Sequence, residues 1–156
     1  MFRFLFIILG FSSAMIFAQN EANDAKAIEE FIQSFDTAWN SHNPKALASL
    51  WKEDGDLMTF WGRWMMGQSQ IEKHFEQEKT GPFGKSTIQQ SIDSKRFLTP
   101  QIVFIDATIK INNIDDPSGN IPSNLVEHGT YLLTKINNRW KILALRMYQF
   151  QAHEVN

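Results

Sequence analysis

Two apolar-rich runs within Leu125–Phe150 are joined by Asn137-Asn138. An Asn pair tolerates positive φ at both central positions, so the runs read as the strands of a hairpin closed by a type I′ turn. With Asn137 and Asn138 as the loop, Ile136 lies opposite Arg139, Lys135 opposite Trp140, Leu133 opposite Ile142, Gly129 opposite Arg146 and Glu127 opposite Tyr148. Side chains alternate between the faces of a strand, which puts Glu127, Tyr131, Leu133, Trp140, Ile142, Arg146 and Tyr148 on one side. That face is apolar near the turn and polar at its far end, as the wall of a ligand pocket is. Val126, Leu132, Leu143, Leu145 and Met147 make the second face apolar too. Helices cover only one face of such a sheet, so the other is expected to be buried in a homodimer.

The chain opens with Arg3, the apolar run Phe4–Phe11 and small residues through Ala18, the pattern of a secretory signal peptide. The run is shorter than the roughly 20 residues a bilayer requires. Cleavage is expected after Ala18 or Ala14, leaving no membrane anchor and a single domain over Gln19–Asn156. The address is a bacterial periplasm or the exterior. No cysteine is present, so packing alone must hold the fold, without disulfides or thiolate metal sites. Fifteen basic residues against 17 acidic ones, with no Lys/Arg run, exclude the electrostatic footprint of nucleic-acid binding.

Ahead of the hairpin the period is helical. Ile28, Phe31, Ile32, Phe35 and Trp39 form one apolar stripe that should stop near Ser41–Pro44. Asn43 can cap, and Pro44 can open, a short second helix carrying Leu47, Leu50 and Trp51. Asp54-Gly55-Asp56 reads as a turn into two short strands, Leu57–Trp61 and Trp64–Met66. A third helix should start at Gly67 or Ser69, carry Ile71, His74 and Phe75, and end before Gly81-Pro82. From Ser86 the period becomes that of strands, Ser86–Phe97 and Gln101–Ile111, with a polar insert at Asp115–Asn120 before the hairpin. Helices first and long antiparallel strands afterwards indicate an α+β domain, about three helices on one side of a curved, mostly antiparallel sheet.

In this order Ile28–Trp39, Ala46–Trp51 running into Asp54-Gly55-Asp56, Gly67 before Ile71, Arg96–Pro100, Gly129–Leu133 and Arg139–Ile142 resemble the nuclear-transport-factor-2-like superfamily, in particular its SnoaL-like and SgcJ/EcaC-type members. The resemblance implies a cystatin-like cone whose mixed sheet wraps the first helix and leaves a pocket at the open end, often in a dimer. Ketosteroid isomerase has that fold, with a catalytic Tyr on the first helix, an Asp base on the first strand and a protonated Asp on a later strand. The matching positions here are Phe35, about Thr59, and Gly129 or Thr130. None of these can do the corresponding job, so that mechanism does not carry over.

Among candidates for chemistry, Glu127, with Arg146 and Tyr148, could bind an anionic or carbonyl group, or could be an internal ion pair. His74 could titrate at the pocket mouth, or be a half-buried helix histidine. Glu127 and His74 are the catalytic candidates. Trp39, Phe60, Trp61, Trp64, Met66 and Phe75, with Tyr131, Arg146 and Tyr148, are the candidate ligand contacts, since dense aromatic and Met groups suit an apolar cavity as well as a core or an interface. The four histidines lack metal-ligand spacing, and no metal or cofactor is expected. Three functions stay open: first a binding module for a small, largely apolar molecule, then a cofactor-free SnoaL- or isomerase-like enzyme acting by acid/base chemistry on a polarised carbonyl compound, and last a purely structural dimer whose pocket is filled by its own side chains.

Overall fold

The structure, a computed structural model, describes residues 7–150, with side chains from Asn23 onward. Helix α1 (Ile7–Asn40) runs ahead of a short α2 (Pro44–Ala48). His42 breaks the first helix at φ 48°, and Asn43 starts the second, its side chain accepting the Ala46 N–H at 3.0 Å with Pro44 behind it. Strand β1 (Trp51–Met58) turns back through β2 (Trp64–Met66) into α3 (Gln68–Thr80). Three long strands and the closing one follow: β3 (Thr87–Thr99), β4 (Ile102–Asn112), β5 (Leu125–Ile136) and β6 (Arg139–Tyr148). The expected leader falls on residues of which 1–6, and all side chains before Asn23, lie outside the description. Among the described residues no helix is long and apolar enough to cross a membrane.

The six strands form one mixed sheet in the order β2-β1-β6-β5-β4-β3, antiparallel throughout except where β1 runs parallel to β6. Its inner face is set by alternation. Val103, Ile105, Ala107, Ile109 and Ile111 of β4, and Tyr131 and Leu133 of β5, are buried on the same side as Ile142 and Leu145 of β6. The stripe Ile28, Phe31, Ile32 and Phe35 of α1 joins this core, with the Phe35 ring edge-on to Tyr131 at 6.2 Å and tilted against Trp51 at 5.8 Å. Burial of each such side chain stabilises the domain by roughly 1.5–3 kcal/mol. The α+β expectation of helices on one side of a curved sheet therefore holds, and the sheet is open rather than closed.

Two local expectations are corrected. Asp54-Gly55-Asp56 is not a turn but lies within β1, where the pairing with β6 slips between Trp51 and Asp56. Gly55 permits this close approach, because a Cβ there would meet the Ile142 carbonyl oxygen at 2.6 Å. The second correction concerns the hairpin. Asn137 and Asn138 have φ of 50° and 59°, and the register from Ile136↔Arg139 to Leu133↔Ile142 is as expected. Beyond it Leu143 is inserted as a bulge, and Leu132 pairs with Ala144. Every later residue of β6 is shifted by one and so changes face. Arg146 lies opposite Thr130, and Tyr148 opposite His128, on the outer face, while Leu145 and Met147 turn inward.

Candidate functional site

At the end of the sheet away from the hairpin turn, the inner face meets α3 and the β1–β2 connection around a cavity of about 40 Å³. A buried water occupies about 10–15 Å³ on the same measure, so the space holds a few waters or one small head group. Its walls are almost wholly apolar. Trp39, Phe60, Trp61, Phe75 and Phe83 supply aromatic rings, and the side chains of Leu57, Ile111 and Met147 fill between them. Trp39 is held in place by an Nε1–H bond of 3.1 Å to the Ser86 hydroxyl, which itself donates to the Phe83 carbonyl at 2.8 Å. Phe75 and Phe83 stand edge-on to the Trp39 ring at 5.9 and 6.5 Å. The Phe60 and Trp61 rings lie tilted against each other with centroids 4.1 Å apart, and Trp61 is largely exposed, marking the rim.

Three titratable side chains enter this apolar lining: Glu127, His74 and Glu78. Glu127 points inward from β5 beside Ile109 of β4, is 0% exposed, and neither carboxyl oxygen has a hydrogen-bond partner. Loss of hydration without compensation pushes its pKa up to about 8, and the nearby Glu78 charge adds to the effect. The carboxyl is therefore mostly un-ionised at neutral pH, an O–H donor among apolar walls. His74 is 6% exposed, and burial, with the Arg63 charge second, lowers its pKa to about 4, so it is a neutral imidazole. Its Nδ1 has no partner, since Glu78 Oε1, one helical turn on, stands 3.8 Å away, beyond hydrogen-bond range. Glu78 is partly exposed, and burial raises its pKa against the opposing pull of Arg63. Arg63 does not line the cavity; it is exposed and donates to the Gln77 side chain at 3.0 Å. Thr59, at the position resembling the isomerase base, contributes a hydroxyl that accepts from the Arg63 backbone N–H at 3.3 Å.

Six of the sequence candidates thus share one cavity: Glu127, His74, Trp39, Phe60, Trp61 and Phe75. The others lie elsewhere, and the bulge at Leu143 accounts for the polar pair. Arg146 is on the outer face, bidentate on the Asp56 carboxylate of β1 with its guanidinium 5.6 Å over the Trp64 ring. Tyr148 stacks with His128 at 5.7 Å on the same outer face. Trp64 and Met66 alternate outward from β2 around buried Met65. Tyr131 faces inward but deeper, fully buried, and donates its hydroxyl to Gln90, which in turn donates to Asp36 at 2.9 Å. That chain is internally satisfied, and burial holds the phenol far above its ordinary range. The cluster of Glu127 with Arg146 and Tyr148 expected from the unbulged register therefore does not form. Glu78, Phe83 and Met147 were missed as lining residues. The four-residue spacing of His74 and Glu78 on one helix face was the available signal. No group of metal-ligating side chains occurs among the described residues.

A family model for the nuclear transport factor 2 (NTF2) domain matches residues 27–120. The chain belongs to the NTF2 domain family. Solved structures agree on the fold. A domain of unknown function with a cystatin-like fold from Nostoc punctiforme superposes with a TM-score of 0.72 at 21% identity, over 85% of this chain and 80% of that one. An uncharacterised protein with a cystatin-like fold from Caulobacter vibrioides gives 0.72 at 20% identity, over 81% and 89%. A ketosteroid isomerase-like protein from Erwinia carotovora atroseptica gives 0.66 at 13% identity, over 81% and 96%. At these identities the likeness is one of fold. No curated protein matches in sequence. In this NTF2 domain the cavity sits between the end of α1, α3 and the inner face of the sheet.

Proposed function

We propose that this NTF2-like protein binds a small molecule with an apolar body, seating one polar head group against Glu127 at the mouth of the cone. The observation that carries the reading is a fully buried carboxyl with both oxygens unpartnered at the edge of an aromatic cavity. Such a group is costly to leave unsatisfied, by about 1–3 kcal/mol, and a ligand that meets it recovers that cost. Saturation-transfer NMR with 1-pentanol tests it. Transfer from the wild type, lost in a folded Met147→Trp variant that fills the cavity, is expected; no transfer from the wild type overturns it.

A second reading, acid/base catalysis on a carbonyl compound, is favoured by one observation: a neutral carboxylic acid and a neutral imidazole line the same space. Glu127 would protonate or hydrogen-bond the carbonyl oxygen and His74 would accept the α-proton. The ketosteroid isomerase-like neighbour is in keeping with such chemistry. Deuterium exchange at the α-carbons of 2-pentanone, faster with wild type than with Glu127→Gln, would support it, and equal rates would remove it.

We also infer export through the N-terminal leader and a homodimer through the outer face of the sheet, where Trp64, Met66 and Val126 are exposed. An intact mass starting near Gln19 and a dimer mass by light scattering at micromolar concentration are the expected results. A full-length mass in the cytoplasm, or a monomer, would contradict them.

A further inference from the structure

The chemistry of the lining narrows the head group, on the basis of the binding reading above. Every titratable side chain that reaches the cavity is an acid or a neutral base: Glu127 from β5, His74 and Glu78 from α3. The cations nearby are placed otherwise. Arg146 is turned to the outer face and held by Asp56, and Arg63 is exposed on Gln77. An anionic head would therefore be desolvated next to two carboxyls with no cation in the wall. A neutral hydroxyl could satisfy Glu127 but would leave the other unpartnered polar group of the lining, the His74 ring, or the rim carboxylate Glu78, unmet. A primary ammonium carries three N–H donors on one atom. The cavity offers it three acceptors, the Glu127 carboxylate, the Glu78 carboxylate and the His74 ring, and five aromatic rings whose faces attract a cation.

We propose that the ligand is a small primary alkyl- or aralkylamine, bound as its ammonium ion with the nitrogen between Glu127, Glu78 and His74 and the apolar tail along Phe60 and Trp61. Glu127 is un-ionised in the free protein, so the bound ammonium displaces its proton to solvent and leaves an ammonium–carboxylate pair. Binding and proton release are then one event. Asp36 and Tyr131, the other titratable groups coupled to this region, are tied into the Gln90 chain and keep their protons or partners as they are.

The experiment uses one tail with three heads: n-pentylammonium, 1-pentanol and pentanoate, titrated calorimetrically into the full mature protein at pH 7 in two buffers of different ionisation enthalpy. Pentylammonium is expected to bind at least about tenfold more tightly than pentanol, with release of nearly one proton per ligand, and pentanoate least tightly. Glu127→Gln, whose folding a thermal melt verifies, should lose the tenfold preference for pentylammonium over pentanol and the proton release. Pentanol binding as well as pentylammonium, or pentanoate binding best, overturns the ammonium assignment and leaves the apolar-ligand reading standing. Tight pentylammonium binding without proton release, or unchanged in Glu127→Gln, also overturns it. Failure of all three to bind removes the binding reading itself, and the assignment with it.

Discussion

Glu127 and His74 differ in the sign of what burial does to them, and this gives the domain a pH signature. The folded protein keeps the Glu127 proton to about pH 8, whereas an unfolded chain releases it near 4.5. Between those values the folded state holds more protons, so stability falls as pH rises, by up to about 1.4 kcal/mol per pH unit. His74 acts oppositely: the unfolded chain takes up its proton below 6.5 and the folded state refuses it down to about 4, so stability falls as pH drops through that window. From 4.5 to 6.5 these two slopes offset each other, and above 6.5 the His74 slope is gone while that of Glu127 remains. Thermal melts of the wild type should lose stability from pH 6.5 to 8, and Glu127→Gln should be flat there. His74→Leu should keep gaining stability as pH is lowered toward 4.5, because the opposing slope is gone. Flat wild-type melts above pH 6.5 would mean that Glu127 is solvated. The residue types were legible in the sequence. Their lack of partners was not, since that depends on which groups of β4, α3 and the β1–β2 connection fail to reach them.

At the scale of elements, the hairpin shows how far local chemistry reads and where it stops. The Asn137-Asn138 turn and the four pairs nearest to it follow from a dipeptide that accepts positive φ. Asn138→Gly should leave stability unchanged or raise it slightly, while Asn138→Ala should cost about 1 kcal/mol in denaturant melts, because alanine lacks the short polar side chain whose local hydrogen bonding lets asparagine adopt the left-handed region. The bulge at Leu143 carries no such signal, because both Leu143 and Ala144 suit either face of a strand. It is decided by what β6 must pair with on its other edge, β1, whose Asp56, Leu57 and Met58 align with Ala144, Leu145 and Arg146. A one-residue insertion then moved Arg146 and Tyr148 out of the expected site. Arg146→Ala should accordingly leave binding at the cavity unchanged in the pentylammonium titration, and lower stability by about 1 kcal/mol, as for a partly exposed bidentate ion pair. Gly55→Ala should be worse, about 1–3 kcal/mol, because its Cβ would have to push β6 away at the Ile142 carbonyl. A Gly55→Ala variant as stable as the wild type would contradict the close β1–β6 approach.

For the molecule as a whole, the change from helical to strand periodicity near Ser86 was enough to read an α+β domain with helices on one side of the sheet. The parallel pairing of β1 with β6, which brings strands from opposite ends of the domain together, was not readable, because no local pattern records a contact so distant in sequence. That pairing matters for the site: it fixes the register of β6, turns Met147 inward, and sets Leu57 and Thr59 against α3 around Glu127. It also changes the outer face, from which Leu145 and Met147 are withdrawn, while Trp64, Met66, Val126, Ile136 and Phe150 are among its exposed apolar residues. The measurement that bears most directly on an apolar-walled cavity with a buried acid is a ¹³C NMR titration of the glutamate side-chain carboxyls, with the Glu127 resonance assigned by its absence in Glu127→Gln. An apparent pKa near 8 for that carbon is expected. A value near 4.5, that of a solvated glutamate, would contradict a buried, unpartnered carboxyl in this cavity.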